Sequence, residues 1–327
     1  MKKNKILVTG GAGFIGSALV WALNQQGIEN ILIVDFLDQA SKWKNLVPLR
    51  YDDYCEGDEL LQHLHNLKDV STVYHLGACS ATTECNCRYL VNNNYEYTKT
   101  LAEWALRQEA RFVYASSAAT YGDGAQGMDD THESLHALRP LNMYGYSKHM
   151  FDLHAQRRGY LNQLVGLKYF NVFGPNESHK GDMRSLVNKA FEQIQATGKL
   201  NLFKSYHPDY DDGEQQRDFL YVKDAVKMTI HLANSDTAQG LFNLGSGIAS
   251  TWNNLAEAIF AALKTLPKIN YIDMPEELKD KYQYFTQAKI DKLRATQYTC
   301  VVTELEDAVA DYIQNYLLKD KYLGDEL

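Results

Sequence analysis

Three side chains in the middle of the chain have the types and spacing needed to move a proton. Tyr144 and Lys148 are four residues apart, so on a helix both project from the same face. A free phenol has a pKa near ~10, and a neighbouring ammonium favours the phenolate, which predicts a lowered pKa for Tyr144. Ser117 follows the fourth predicted strand and can hydrogen-bond a reacting oxygen. This trio predicts acid–base chemistry in one cleft.

A glycine-rich turn near the N-terminus predicts a phosphate-binding site. Gly10, Gly13 and Gly16 follow an apolar run and precede helical spacing of apolar residues from Phe14 to Gln26. Glycine at such a turn lets the backbone approach a pyrophosphate closely, and the helix N-terminus presents N–H groups to it. The turn therefore predicts a dinucleotide cofactor.

An acidic residue beyond the turn bears on which dinucleotide is bound. Asp35 lies 19 residues after Gly16, where an acid usually accepts hydrogen bonds from the ribose hydroxyls of NAD. Lys42 and Lys44 follow closely enough to neutralise the 2′-phosphate of NADP. The motif by itself leaves NAD and NADP open, and Asp35 capping its own turn is a structural alternative.

Strand-like runs alternate with helical segments through the first half of the chain. These runs are Lys5–Thr9, Asn30–Val34, Thr72–Leu76, Arg111–Ala115 and Gln163–Tyr169. Such alternation predicts βαβ units and an α/β fold with a doubly wound parallel sheet, the Rossmann arrangement. His75 lies inside one of these apolar strands, which favours a hydrogen-bonded core histidine over a catalytic one.

The pattern changes after Gly174 and Pro175, where a polar, loop-rich segment continues to Gln216. A strand over Asp218–Val222, a helix over Lys223–Asn234 and a strand near Lys268–Ile272 follow. We therefore predict a smaller α+β C-terminal lobe. The predicted cofactor domain covers residues 1–172 plus about 217–248, and the predicted substrate lobe covers 173–216 and 249–327.

Composition narrows the class of protein. The chain has 327 residues, of which 45% are hydrophobic and 23% charged, with a formal net charge of −8. This composition excludes disorder as the main description and disfavours sequence-independent nucleic-acid binding. No apolar run reaches the ~18–20 residues that span a bilayer, and no signal-peptide core follows the basic N-terminus, so we expect a cytoplasmic protein with no membrane partner.

The cysteines predict neither a disulfide framework nor a metal site. They number five, and Cys85 and Cys87 form the only close pair. An odd count in a long chain argues against paired disulfides, and no histidine stands at ligand spacing from the pair. We expect reduced thiols and no bound metal.

The chain resembles the extended short-chain dehydrogenase/reductase superfamily in three features: the trio Ser117, Tyr144 and Lys148, the glycine turn, and the later segment Arg217–Asp224. Within it, the chain is similar to the ADP-L-glycero-D-manno-heptose 6-epimerase family of nucleotide-sugar epimerases, from residue 5 to about 310. The blocks that carry this closer likeness are Gly77–Glu84, Asn93–Tyr95, Ala115–Gly122, Tyr144–Lys148, Tyr169–Pro175, His179–Gly181 and Tyr282–Gln287.

The resemblance implies tightly held NADP, an ADP-heptose substrate and homo-oligomers, often pentamers, that supply lipopolysaccharide core biosynthesis. The catalytic positions it implies are Ser117, Tyr144, Lys148 and Lys180. The cofactor contacts it implies, with those of the glycine turn, are Gly10, Gly13, Phe14, Ile15, Gly16, Asp35, Phe36, Lys42, Leu76, Gly77, Ala78, Cys79, Ser80, Asn93, Lys148, Val172 and Lys180. The substrate contacts it implies are Ser117, Asn171, Asp182, Lys189, Phe203, Lys204, Ser205, Tyr206, Arg217 and Tyr282.

Several residues depart from the family pattern at the ligand contacts. They are Phe36 after the strand acid, Gly57 at a lysine position, Leu76 at a glutamate position, and Asp182 and Lys189 at serine and histidine positions. The loop over residues 206–216 is also longer than usual. These departures bear on the 2′-phosphate and sugar contacts more than on the chemistry.

The resemblance implies oxidation of carbon 6″ to an aldehyde by hydride transfer to NADP⁺, rotation about the carbon 5″–6″ bond, and return of the hydride to the other face. Tyr144 is the expected base for one half-reaction and Lys180 for the other, while Arg217 is suited to the diphosphate. The structural alternatives are a solvated loop lysine for Lys180 and an ion pair of Arg217 with Asp218 or Asp224.

Two other functions remain open from the residues alone. A 4-epimerase of another nucleotide sugar fits the superfamily motifs, whereas a dehydratase is disfavoured because Ala118 and Ala119 follow Ser117 where an acid pair is needed. A non-catalytic NADP-sensing protein would not require Tyr144 and Lys148 together.

Overall fold

The strands that the sequence predicts begin within two residues of strands that the structure contains. The computed structural model describes residues 4–38, 41–130, 133, 135–279 and 282–325. In chain order, the strands are β1 (Lys5–Thr9), β2 (Ile31–Asp35), β3 (Asp53–Glu56), β4 (Val70–His75), β5 (Arg111–Ser117), β6 (Val165–Tyr169), β7 (Asn171–Phe173), β8 (Leu200–Phe203), β9 (Gln216–Tyr221), β10 (Gly240–Leu244), β11 (Ala249–Thr251) and β12 (Ile269–Ile272).

Seven of these strands form one parallel sheet in the order β10-β6-β5-β4-β1-β2-β3. From β1 the chain first adds β2 and β3 on one side of the sheet, and then β4, β5, β6 and β10 on the other side. The strand order therefore reverses between β1 and β4. Ligands of open α/β sheets bind at the carboxyl ends of the strands beside such a reversal. The predicted doubly wound Rossmann sheet is confirmed, and it places the candidate site beyond Thr9 and His75, which are paired in register.

Helices cover both faces of this sheet. They are α1 (Phe14–Gln25), α2 (Gly57–His63), α3 (Cys87–Leu90), α4 (Tyr97–Arg107), α5 (Met143–Arg157), α6 (Leu186–Thr197), α7 (Val222–Asn234), α8 (Trp252–Ala262), α9 (Glu276–Lys279), α10 (Asp291–Ala295) and α11 (Leu305–Asp311). Alternate residues of β1 enter opposite cores: Val8 packs with α1 and α7, and Leu7 packs with α4 and α5. Burial on both faces explains the unbroken apolar runs of the inner strands.

Two smaller sheets lie outside the central one, which confirms the predicted smaller α+β part. One sheet has the strand order β11-β9-β7, in which β9 is antiparallel to β11 and parallel to β7. The other sheet consists of β8 and β12, which pair in parallel. No helix in the described ranges is long and apolar enough to cross a bilayer.

Some element predictions differ from the structure. The strand over Asp53–Glu56 was not predicted because it lies at the sheet edge and lacks the apolar run of the inner strands. Gly240–Leu244 was also not predicted, although all five of its residues are buried. Val222 begins α7 instead of ending the preceding strand.

Candidate active site

A cavity of about 1180 Å³ opens at the carboxyl ends of the central strands. Its walls come from the glycine turn after β1, the segment after β4, the end of β5, α5, and the elements that follow β6. Every predicted cofactor contact and all four predicted catalytic residues line it. The structure therefore brings the two sets of residues together in one pocket.

The glycine turn has the close backbone packing that a dinucleotide site requires. Gly10 has a φ of +70°, and a Cβ there would lie 2.6 Å from the nitrogen of Gly77. A Cβ on Gly16 would overlap the carbonyl of Gly10. Only glycine fits at these positions, and α1 starts at Phe14 with its first-turn N–H groups at the cavity wall. The turn fits the pyrophosphate of a dinucleotide cofactor.

The Asp35 carboxylate at the end of β2 holds the glycine turn in place. One oxygen accepts hydrogen bonds from the backbone N–H groups of Ala12 (2.9 Å) and Gly13 (3.1 Å). The other accepts from the N–H of Phe36 (2.8 Å) and from Lys42 Nζ (2.7 Å). Asp35 thus caps its neighbouring backbone, and Lys42 is the cation that it fixes at the cavity wall.

The segment after β4 is held by an asparagine that the sequence analysis missed. Asn94 Oδ1 accepts a hydrogen bond from the N–H of Cys79, and its Nδ2 donates to the Cys79 carbonyl and to Ser147 Oγ. Asn94 is buried, whereas its predicted neighbour Asn93 lines the cavity. The run of three asparagines does not itself indicate which one faces inward.

Tyr144 and Lys148 lie on the first turns of α5, as their spacing predicts. Asn142 caps this helix by accepting a hydrogen bond from the N–H of Gly145 at 2.8 Å. A Cβ on Gly145 would lie 2.7 Å from the carbonyl of Ala119, so glycine is what allows α5 to approach the turn after Ser117. Ser117 is the last residue of β5, one strand later than predicted because β3 was missed.

The electrostatics of this trio differ from the prediction. Burial raises the pKa of Tyr144, and the hydrogen bond with Ser117 lowers it only in part. Lys148 donates to the Ala115 carbonyl at 2.8 Å, and burial lowers the pKa of its ammonium to about 8. The expected lowering of the Tyr144 pKa is thus wrong, because desolvation raises this pKa and only the hydrogen bond with Ser117 opposes it.

His75 is the core histidine that its position predicts. Its ring nitrogens lie 2.6 Å from Thr9 Oγ1 and 2.8 Å from Thr98 Oγ1, and burial lowers its pKa to about 3. The ring is therefore neutral at physiological pH and links β1, β4 and α4.

Lys180 approaches the cavity from the short helical turn Ser178–Met183. Its Nζ lies 5.2 Å from the ring centroid of Phe14, and burial lowers the pKa of the ammonium. His179 beside it lies 3.3 Å from Asn45 Nδ2. The alternative of a freely solvated loop lysine is wrong, since Lys180 is largely buried and lines the cavity.

A buried arginine lies against two aromatic residues, Trp252 and Tyr282, that line the cavity. The Arg217 guanidinium lies 5.1 Å from the ring centroid of Tyr282 and 5.7 Å from that of Trp252, and Trp252 Nε1 donates to the Tyr282 hydroxyl at 2.8 Å. The Arg217 guanidinium also donates hydrogen bonds to the backbone carbonyls of Gln216 and Gln283. The alternative of an ion pair with Asp218 or Asp224 is not observed, and burial lowers the pKa of Arg217. Trp252, which no local motif indicates, also lines the cavity.

The predicted substrate contacts separate into two groups. Ser117, Asn171, Lys189, Phe203 and Tyr282 line the cavity. The others, Asp182, Lys204, Ser205, Tyr206 and Arg217, do not form its described wall. Lys204 instead forms an exposed ion pair with Asp273 at 3.0 Å, and Asp212 accepts a hydrogen bond from the N–H of Ser205 at 2.7 Å. Among the residues described, no group of three or more His, Cys, Asp or Glu side chains is arranged to hold a metal.

Known proteins are similar to this chain in sequence and in fold. Residues 6–245 match the NAD dependent epimerase/dehydratase family. ADP-L-glycero-D-manno-heptose-6-epimerases from Nitratidesulfovibrio vulgaris and Fusobacterium nucleatum are 52% identical over 314 residues and 46% identical over 331 residues. These matches cover 95% and 97% of this chain, and 97% and 100% of the relatives.

A solved structure of a protein with the same name has a similar fold. The crystal structure of the Helicobacter pylori ADP-L-glycero-D-manno-heptose-6-epimerase superimposes with a TM-score of 0.81, at 28% identity, over 96% of each chain. The family model spans well over half of this chain, and the relatives match it nearly end to end. The chain therefore belongs to the NAD dependent epimerase/dehydratase family and, within it, to the group of the ADP-L-glycero-D-manno-heptose-6-epimerases.

Proposed function

We propose that the protein inverts carbon 6″ of ADP-D-glycero-D-manno-heptose to the L-glycero form, using bound NADP. The observation that carries this proposal is the meeting of Tyr144, Lys148 and Ser117 with the glycine turn in one cavity. Relatives at up to 52% identity bear the name of this activity and support the choice of substrate. Residues 1–172 and about 217–248 would hold the cofactor, and 173–216 with 249–327 the sugar nucleotide.

The chain's own residues supply proton transfer on two sides of the reacting carbon. A bound oxidised nicotinamide dinucleotide supplies the hydride acceptor and a positive ring that favours the phenolate. Tyr144 Oη takes the proton of the 6″-hydroxyl group while Ser117 hydrogen-bonds the same oxygen. After rotation of the resulting aldehyde, the same hydride returns to carbon 6″ as Lys180 Nζ gives a proton to the oxygen in its new position. Exchange with solvent then removes the proton from Tyr144 and restores the one that Lys180 lost. Lys148 orients the cofactor ribose.

The surroundings of Asp35 support NADP over NAD. Each oxygen of this carboxylate already accepts two hydrogen bonds from the protein, so it is poorly placed to accept more from ribose hydroxyls. Lys42 adds an ammonium at the same wall, suited to a 2′-phosphate.

The buried guanidinium of Arg217 supports an anionic substrate. It lies between two aromatic rings and donates only to backbone carbonyls in the contacts described. A buried charge without a counter-charge is costly, and a nucleotide diphosphate would supply that counter-charge.

The test is to mix the purified protein with ADP-D-glycero-D-manno-heptose, with no added cofactor, and follow the configuration at carbon 6″ by NMR. We expect inversion without deuterium uptake at carbon 6″ in heavy water, since the same hydrogen returns. Deuterium at that carbon would contradict hydride return and indicate an enol route. Turnover of UDP-galactose in place of the heptose would indicate a 4-epimerase.

A further inference from the structure

A buried ion pair involves Asp152, which lies one turn of α5 after Lys148. Asp152 and Lys168 are both 0% exposed, and Lys168 Nζ lies 3.2 Å from Asp152 Oδ2. Asp152 also accepts hydrogen bonds from the Tyr114 hydroxyl (2.9 Å) and from Ser116 Oγ (2.7 Å). A fully buried ion pair adds little net stability compared with an apolar pair, so its presence calls for another role.

The geometry connects this pair to both sides of the catalytic trio. Asp152 follows Lys148 by one turn of α5, so the two side chains share a helix face. Tyr114 and Ser116, which hold Asp152, flank Ala115 on β5, and the Ala115 carbonyl accepts the hydrogen bond from Lys148.

Lys168 is linked to Ser117 of the trio through Thr120. It is paired in register with Ser116 and donates to Thr120 Oγ1 at 2.5 Å. Thr120 Oγ1 in turn donates to the carbonyl of Ser117 at 2.7 Å. One buried pair thus joins the strand, helix and turn that carry the trio.

We propose that Asp152 and Lys168 are positioning residues that act through Lys148: Asp152 supplies the negative charge that keeps the buried ammonium protonated, and Lys168 limits how much of that charge Lys148 feels. The catalytic role of Lys148 rests on the proposed function, but its protonation does not. Removing the carboxylate charge therefore favours neutral Lys148, and removing the Lys168 charge favours the ammonium.

The other titratable groups around the pair change charge little between pH 7 and 10. The groups that face the pair or Lys148 are His75, Cys79, Tyr114, Tyr121, Asp130 and His149. Burial raises the pKa of both tyrosines well above its usual value and lowers that of both histidines. Tyr144, one turn before Lys148, also has a pKa raised by burial. A Cys79→Ser background removes the thiol that faces Lys148.

The experiment titrates Lys148 by NMR in protein labelled at the lysine ε-carbons, with the signal assigned through Lys148→Met. We expect Asp152→Asn to lower its midpoint by about 1 pH unit or more and Lys168→Met to raise it by a similar amount. The double variant, which removes one charge of each sign, should fall between the single variants. Asp311→Asn is the matched control, because it breaks the Lys223–Asp311 pair (2.7 Å) elsewhere in the fold and should leave the midpoint unchanged.

Unchanged Lys148 midpoints in both single variants, or a double variant whose midpoint does not fall between theirs, overturn the proposal. Absence of epimerisation with the expected shifts present would instead count against the proposed function alone.

Discussion

The two ends of the cavity are built differently. At the cofactor end, the glycine turn, Asp35 and the segment after β4 follow adjacent strands of one sheet, so strand register sets their positions. At the far end, the antiparallel β9–β11 pair brings Arg217 close to Trp252, and Tyr282 from a distant segment contacts both through its side chain. Trp252 and Tyr282 line the cavity, and Arg217 lies against their rings. Strand register thus sets the cofactor end, whereas the substrate end also depends on the side-chain contacts of Tyr282.

The largest effect should come from the reacting centre between these ends. Tyr144→Phe should lower turnover by about 10²–10⁴-fold, because it removes the proton-transfer group while keeping the ring. Bound cofactor, measured by absorbance after denaturation, should not change. Tyr146→Phe is the matched control, since Tyr146 lies on the same helix but is exposed. Near-normal turnover of the Tyr144 variant would remove this residue from the base role.

KM for the nucleotide sugar should depend on the shape of the Arg217 cation near the far end of the cavity. Arg217→Lys keeps the charge but loses the planar group held between two rings, so KM for the nucleotide sugar should rise by about 10- to 100-fold. Steady-state kinetics would measure this. Arg294→Lys is the control, because Arg294 also lies against a tyrosine ring and donates to carbonyls, away from the cavity. Equal effects of both variants would show that Arg217 acts only on folding.

At the cofactor end, loss of the Lys42 side chain should change the preference for NADP over NAD without abolishing cofactor binding. Lys42→Ala should weaken NADP binding by about tenfold relative to NAD, because the charge-assisted hydrogen bond to the 2′-phosphate is lost. The Asp35 oxygen that Lys42 holds is then free to accept a hydrogen bond from a ribose hydroxyl. Calorimetric titration of cofactor-free protein with both dinucleotides would measure the ratio. Lys44→Ala is the control, because Lys44 does not line the described cavity. An unchanged ratio would exclude Lys42 as the 2′-phosphate contact.

The smallest effect should come from Lys204. Because Lys204 forms an exposed ion pair with Asp273, Lys204→Ala should change KM by no more than about twofold. Lys189→Ala, which removes a lysine that lines the cavity, should change KM more. The two values can be compared in one kinetic assay, and a larger effect at Lys204 would mean that its ion pair opens when substrate binds.

Sequence reasoning succeeded where one local pattern determines position. The glycine turn, Asp35 and the Tyr144–Lys148 spacing each place their side chains through a strand end or a helical turn, and all line the cavity. It failed for the Lys204–Tyr206 segment and for Trp252 because their positions depend on how distant segments pack. It also misjudged the Tyr144 pKa, since burial is set by the whole fold.

The sequence by itself determined the parallel sheet, the phosphate-binding turn and the candidate proton-transfer group, because helical and strand periodicity fix which residues share a face. Tertiary structure alone decided that Asp35 holds the turn, that Arg217 lies against two aromatic rings, and that Asp152 on α5 pairs with Lys168 on β6. These arrangements depend on contacts between residues far apart in the chain, and the charges involved interact strongly only once water has been excluded.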